Sequence, residues 1–349
     1  MKVWLGQWKV NNLSPSKDQI ISFLSNTDSD IIAILQMEYN KDFLSIAQLA
    51  IRDIDYYKDY HLILNQQIIG NRLNVIDEAS TEASTDKTNI FNSTCFSIIV
   101  KDNTLIRNVY SITRRSIGKY LSSKGVIMSV LELIDYKKSI ISNSEGRKES
   151  ECFITRICLI GCNFETKDSL RVLQISQLIN DLDYINSSYK IDTSLIFGDI
   201  NNRIYIPRNL TKKNKENLNL ESLEKLEEMI TIYPQKLLKY DMLASDNYGY
   251  CKLKSYFHFP DPIEVFNSME KNILLPSYKV MNTTYGLKYI QKNIINKHDD
   301  NILQIGWLDR FGWNINSNLK IKILNNTYRK NLLISDHLPL VTELEIFLI

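Results

Sequence analysis

Two short segments carry residue types that packing alone does not call for: Gly198-Asp199-Ile200-Asn201-Asn202-Arg203 and Ser335-Asp336-His337-Leu338-Pro339. Each follows an apolar run and so sits where a strand ends, which is where active sites of α/β proteins gather. A His flanked by Asp can donate a proton or ligate a phosphate near neutral pH. Asp309, in the run GWLDRFGW (306–313), could orient that imidazole if the fold brings the two together. Glu38 ends the apolar run DIIAILQME, and a carboxylate at the mouth of a sheet suits a hard cation such as Mg²⁺, which takes one or two carboxylates plus water and substrate oxygens. Each piece alone has a plain structural explanation. GDxN is a common strand-to-turn sequence, SDH a common Asx-type start, and Glu38 a solvated strand end. Their joint order makes them a candidate site: an acid after an early strand, GDxN in mid-chain, WxDR late, SDHxP near the C-terminus.

The elements that must position these residues read as an alternation of strands and helices. Apolar runs at Val3–Leu5, Ile31–Leu35, Phe96–Val100, Val126–Ile134, Phe153–Ile160, Leu195–Phe197 and Leu340–Ile349 predict strands, and several are apolar throughout, as doubly covered strands are. Ser14-Pro15 has the chemistry of a helix start, with Ile20, Phe23 and Leu24 on one face after it. Ser169–Leu182, with Ile175, Leu178, Ile179 and Leu182, predicts a second helix, and Leu220–Ile230 a third. The polar stretches 78–88 and 211–219 have too few apolar residues to pack and predict surface insertions. The pattern is α/β, in one domain over 1–349.

Composition excludes several classes. With 44% hydrophobic and 23% charged residues, the 349-residue chain is neither disordered nor fibrous. Its formal charge of +2 rules out a generally basic nucleic-acid coat but leaves room for a local basic pocket. Five cysteines without a CxxC pair predict neither a disulfide framework nor a zinc site. No apolar run of about 18 residues and no signal-like core occurs, so the expected location is cytoplasmic. Without a lipidation signal, any membrane contact is expected to be peripheral and transient.

Taken together, the motifs resemble the endonuclease/exonuclease/phosphatase (DNase-like) superfamily and, within it, the inositol polyphosphate 5-phosphatases. GDINNRI (Gly198–Ile204), PSYK (Pro276–Lys279), GWLDR (Gly306–Arg310) and SDHLP (Ser335–Pro339) carry the resemblance. LGQWKVNN (Leu5–Asn12), IGKYLSSKG (Ile117–Gly125) and LLKYDML (Leu237–Leu243) match more weakly. The resemblance implies a four-layer α/β sandwich, two mixed β-sheets packed face to face and flanked by helices, with the site along one edge of both sheets. It implies Mg²⁺-dependent hydrolysis of the 5-phosphate of a phosphoinositide or soluble inositol polyphosphate. It assigns Glu38 to the metal and Asn11 to its neighbourhood. Asp199 would polarise the attacking water, Asn201 would orient water and phosphate, and His337 would contact the phosphoryl group with Asp309 holding its ring and Asp336 completing the cluster. Lys124, Arg203, Tyr278, Lys279 and Arg310 would meet substrate phosphates, since a polyphosphorylated ring needs several cationic donors.

Three positions depart from the family pattern. The Asn expected after Trp8 is Lys9, whose ammonium would repel a metal ion or replace part of its charge. The Gln expected before Glu38 is Met37. The His that binds phosphoryl oxygens in the family becomes Asn163, which would still bind substrate through one hydrogen bond but carries neither a proton nor a positive charge. Two rival functions follow: a non-catalytic phosphoinositide-binding or interaction protein on the same scaffold, and a Mg²⁺-dependent nuclease or phosphodiesterase.

Overall fold

Apolar residues spaced two apart decide the architecture, because a strand shows alternate side chains to opposite faces. Val3, Leu5, Ala33, Leu35, Met37, Ile98 and Val100 project from one sheet, and Ile127, Leu131, Leu159, Leu195, Phe197 and Phe311 from another, and they meet in one buried cluster. The computed structural model describes residues 1–73, 90–116, 123–135, 153–205, 241, 243, 250–260, 277, 280–283, 286–289, 302–303 and 306–348. In chain order its elements are β1 (Lys2–Lys9), α1 (Lys17–Leu24), β2 (Ile31–Asn40), α2 (Ile46–Asp53), β3 (Tyr60–Leu73), β4 (Ile90–Lys101), β5 (Ile106–Arg115), β6 (Gly125–Asp135), β7 (Phe153–Asn163), α3 (Asp168–Tyr189), β8 (Thr193–Asp199), β9 (Ile204–Tyr205), α4 (Tyr250–Tyr256), β10 (Val280–Thr283), β11 (Gly286–Tyr289), β12 (Ile302–Leu303), β13 (Asp309–Ile315), β14 (Leu319–Tyr328) and β15 (Leu340–Leu348).

Six strands form one sheet in the order β14-β15-β1-β2-β4-β3, and five form the other in the order β13-β8-β7-β6-β5. Both sheets are mixed, since β1 runs parallel to β2 and β7 parallel to β8 while the other pairs are antiparallel. Each parallel pair needs a crossover, supplied by α1 in the first sheet and α3 in the second. Helices cover the outer faces. On the first sheet Ile20, Phe23 and Leu24 of α1 and Ile46, Ala47 and Ala50 of α2 pack with Trp4, Trp8, Ile32 and Ile34. On the second, Ile175, Leu178, Leu182 and Ile185 of α3 and Leu253 of α4 pack with Val126, Cys158, Ile160 and Ile196. This is the four-layer sandwich expected from the sequence. Truncating one of the shared inner residues, such as Leu159, to Ala is expected to cost about 2–5 kcal/mol.

The seven expected strands are present, six of them extended at one or both ends and the last running Leu340–Leu348, with Ile349 outside the described residues. The first helix starts later than Ser14-Pro15 suggests, because Ser16 caps it: Gln19 N donates to Ser16 Oγ and Ser16 N donates to Gln19 Oε1. The second runs on to Tyr189. The stretches 78–88 and 211–219 and the helix expected at Leu220–Ile230 lie outside the described residues. Among the described residues no helix is long and apolar enough to cross a membrane.

Candidate active site

Strand register builds half of the site. Gly125 of β6 lies opposite Asn163 of β7, Asn163 opposite Asp199 of β8, and Asp199 opposite Asp309 of β13. This row closes the end of the second sheet on its inner face, because Asp199 continues the alternation of Leu195 and Phe197, and Asp309 that of Phe311. Gly198 lets β8 approach: its φ is 137°, and a Cβ there would stand 1.9 Å from the Cys162 carbonyl oxygen. Immediately after it the chain turns, with Asn201 at φ 57° donating its N–H to Asp199 Oδ1 at 2.8 Å. Asn201 Nδ2 and Lys124 Nζ both donate to the Phe164 carbonyl, each at 3.1 Å, and Arg203 Nε donates to Asn201 Oδ1 at 3.3 Å. From the loop before β15, His337 Nδ1 lies 2.9 Å from Asp309 Oδ2, with both side chains buried. A carboxylate against Nδ1 fixes the ring's orientation and makes Nε2 the nitrogen that can meet a phosphoryl oxygen.

The first sheet supplies the other half. Lys9 prolongs the inward alternation of Val3, Leu5 and Gln7 to the end of β1, opposite Met37 of β2. Met37 packs in the inter-sheet core, so strict alternation would turn Glu38 outward. The β2–β4 register breaks between Gln36 and Tyr39, and Glu38 takes φ 52°, a conformation that non-glycine residues adopt chiefly where function or packing imposes it. The result is a three-way contact: Lys9 Nζ lies 2.9 Å from Glu38 Oε1 and 3.2 Å from Asp336 Oδ1, all three side chains being partly exposed. Burial would lower the Lys9 pKa, but Asp336, Glu38 and Asp199 outweigh it and hold the ammonium above its ordinary value. Asp336 responds oppositely: burial would raise it, and Lys9 with His337 holds it below the ordinary carboxylate value. Lys124 is lowered by burial with Lys9 and Arg203 adding to it, against the pull of Asp199 and Glu165. Lys9, Lys124, Arg203 and Asp199 thus share one electrostatic neighbourhood that spans both sheets.

The sequence-derived candidates divide accordingly. Asp199, Asn201, Arg203, Asp309, His337, Asp336, Glu38, Lys124 and Asn163 come together. Asn163 is buried and its Nδ2 donates to Thr94 Oγ1 at 2.9 Å, tying the two sheets where the resemblance puts a residue that binds phosphoryl oxygens. Asn11 is exposed in the left-handed turn after β1, at φ 49°. Arg310 does not join the row. It neighbours Asp309 in β13 and so faces the other way, with Nη1 donating to buried Asp241 Oδ2 at 3.1 Å. Burial raises the Asp241 carboxyl above its usual range despite Arg310 and the Asn202 amide that also bonds it. Arg310, Asp241, His258 and Trp313 instead line a cleft of about 540 Å³. Tyr278 and Lys279 lie outside the described residues, but Ser277 beside them is buried: its Oγ accepts from Asp309 N at 3.2 Å and its carbonyl from Leu338 N at 2.9 Å. Ser277, Thr94 and Tyr328, whose hydroxyl donates to the Asp309 carbonyl at 3.1 Å, were not anticipated. Ser277 alone carried a signal, its place in PSYK.

Comparison of the sequence with protein-family models and with curated proteins returns no match. Solved structures do match. The inositol polyphosphate 5-phosphatase domain of SPsynaptojanin, in complex with inositol (1,4)-bisphosphate and calcium ion, aligns over 99% of this chain and 85% of its own, with 16% identity and a TM-score of 0.56. The chain has the DNase-like fold. A Cimex nitrophorin mutant in its ferrous NO complex aligns over 99% of this chain and 98% of its own, with 13% identity and a TM-score of 0.60. One scaffold therefore accommodates a phosphatase domain and a nitrophorin, and function has to be read from side chains.

On this DNase-like scaffold the divalent cation expected at Glu38 does not fit the residues present. Among the described residues no group of three or more His, Cys, Asp or Glu is arranged to hold a metal ion. Mg²⁺ binds oxygen at ~2.1 Å, and Glu38 Oε1 has the Lys9 ammonium at 2.9 Å. An ion bound there would lie within about 5 Å of Nζ, and a divalent and a monovalent cation so placed repel by roughly 7 kcal/mol at an effective dielectric near 20.

Proposed function

We propose that the protein is a hydrolase that removes the 5-phosphate from phosphoinositides or soluble inositol polyphosphates. The observation that carries this reading is the row Asp199–Asp309–His337, a carboxylate beside an anchored imidazole at the shared end of two sheets. In-line displacement needs a base for water and donors for the charge that grows on phosphate oxygens. Asp199 takes the proton of a water held with Asn201, the water oxygen bonds to phosphorus, and the ester oxygen leaves and takes a proton from solvent. The products are an inositol hydroxyl and inorganic phosphate. His337 Nε2, Lys9, Lys124 and Arg203 meet the phosphoryl oxygens, and Lys279 with Tyr278 meets the neighbouring phosphates. No step is routed through Mg²⁺, because Lys9 stands against Glu38. The SPsynaptojanin domain, crystallised with inositol (1,4)-bisphosphate, supports the substrate class. A cytoplasmic enzyme with this substrate would meet lipid only at a membrane surface, through peripheral contact.

A second reading, a phosphoinositide-binding protein without turnover, is favoured by one observation: Asn163 is committed to Thr94 and replaces a proton-carrying side chain. Phosphate release from a panel of inositol phosphates and phosphoinositides, with single-stranded and duplex DNA alongside, separates the readings. Release confined to 5-phosphorylated substrates is expected. Binding without release would establish the second reading, and cleavage of DNA, with affinity falling steeply as salt rises, would establish a nuclease.

A further inference from the structure

We propose that Lys9 is a built-in replacement for a divalent cation: its Nζ holds together Glu38 and Asp336, so that the site carries its counter-charge in the polypeptide and takes up no metal. The inference rests on the hydrolase reading for what the charge is used for, but the geometry stands by itself. Lys9 projects inward from the last position of β1, Glu38 is turned toward it by a left-handed residue at a break in register, and Asp336 comes from the loop before β15, 327 residues away in the chain. An acidic side chain from each of two distant segments converging on one ammonium is the arrangement that a bound cation would otherwise organise. Like charges so gathered repel unless a cation lies between them, and here that cation is covalent. It cannot dissociate, so neither chelators nor metal concentration would control the site. Its single charge is half that of Mg²⁺, and Lys124 and Arg203 stand in the same neighbourhood.

Thermal unfolding of the full chain, with Mg²⁺ or Ca²⁺ alone as the probe, tests this without using activity. Wild-type protein is expected to unfold at the same temperature in millimolar MgCl₂, in CaCl₂ and in EDTA. Lys9→Asn removes the ammonium and leaves Glu38 and Asp336 without it, so its midpoint is expected to fall in EDTA and to recover by several degrees in Mg²⁺ or Ca²⁺, as binding to the folded state alone requires. Adding Glu38→Gln should abolish the recovery. If Lys9→Asn does not fold in EDTA, isothermal titration of the wild type with MgCl₂ decides instead: silence is expected. Specific uptake of one Mg²⁺ by wild-type protein, or a Lys9→Asn variant that gains no metal response, would overturn the proposal. The outcomes separate from those of the hydrolase reading, because a protein that releases no phosphate can still gain a metal site on loss of Lys9, and an active enzyme can fail to.

Discussion

Both sheets send a parallel strand pair to the same edge of the sandwich, yet the two ends are built differently. The end of the second sheet is a row of directly opposed residues, Asn163, Asp199 and Asp309, with regular pairing throughout and His337 anchored on it. The end of the first sheet departs from regularity: register breaks after Gln36, Glu38 is left-handed, and Lys9 gathers two acids. In the proposed reaction the regular end supplies the residues that activate water and meet the phosphoryl group. The irregular end, where the resemblance implies a metal, gathers its two acids around an ammonium. The two sheets thus bring different kinds of residue to one edge, a carboxylate–imidazole row from the second and a Lys9-centred cluster of acids from the first.

The contrast can be broken from either side. The largest expected effect comes from the second sheet: Asp199→Ala should lower kcat by about 10²–10⁴-fold, the range for loss of a general base, with circular dichroism unchanged, and a kcat near wild type would remove Asp199 from the mechanism. Next, Arg310→Met should cost about 3–5 kcal/mol in denaturant unfolding, because it strands a buried carboxylate, while leaving KM unchanged. Its pH dependence has a definite sign. Asp241 is raised above its usual value in the fold, so stability from this group is full below the unfolded value and is lost as pH rises through the folded one. Without Arg310 that loss should deepen. A raised KM with intact stability would return Arg310 to the substrate. A smaller effect, about tenfold for one charge-assisted hydrogen bond, is expected for Lys279→Ala on substrates with a neighbouring phosphate, against little change on a simple phosphomonoester. The smallest is in the first sheet. Asp336 is held below the unfolded value of 3.8, so its contribution is present above that pH and fades as pH falls through the lower folded value. Asp336→Asn should flatten that part of the acid unfolding profile, and an unchanged profile would show that the Lys9 contact adds nothing.

What could be read from the sequence followed the range of the interactions involved. Inner strands are apolar runs because both faces are covered, whereas β14, with alternating Lys320, Ile321, Lys322 and Ile323 at a sheet edge, offers no such run. Helix α2 has a capping box of Ser45 and Gln48 but only a faint apolar stripe, because its buried face is made of Ile46 and two alanines. The motifs around Asp199, Asp309 and His337 were legible because each lies within a few consecutive residues. The resemblance gives Arg310 a substrate role through the motif it shares with Asp309, yet neighbours in a strand face opposite ways, and Arg310 meets Asp241. Lys9 was visible as a departure, but its partners are not local: Glu38 turns inward only through a backbone irregularity, and Asp336 arrives from the far end of the chain.

Phosphate release from a 5-phosphorylated inositol phosphate, measured with chelator-treated protein in EDTA and again in Mg²⁺, tests most directly whether these two ends form one working, metal-free site. Equal release under both conditions is expected. Release that appears only with Mg²⁺, or none under either condition from folded protein, would contradict it.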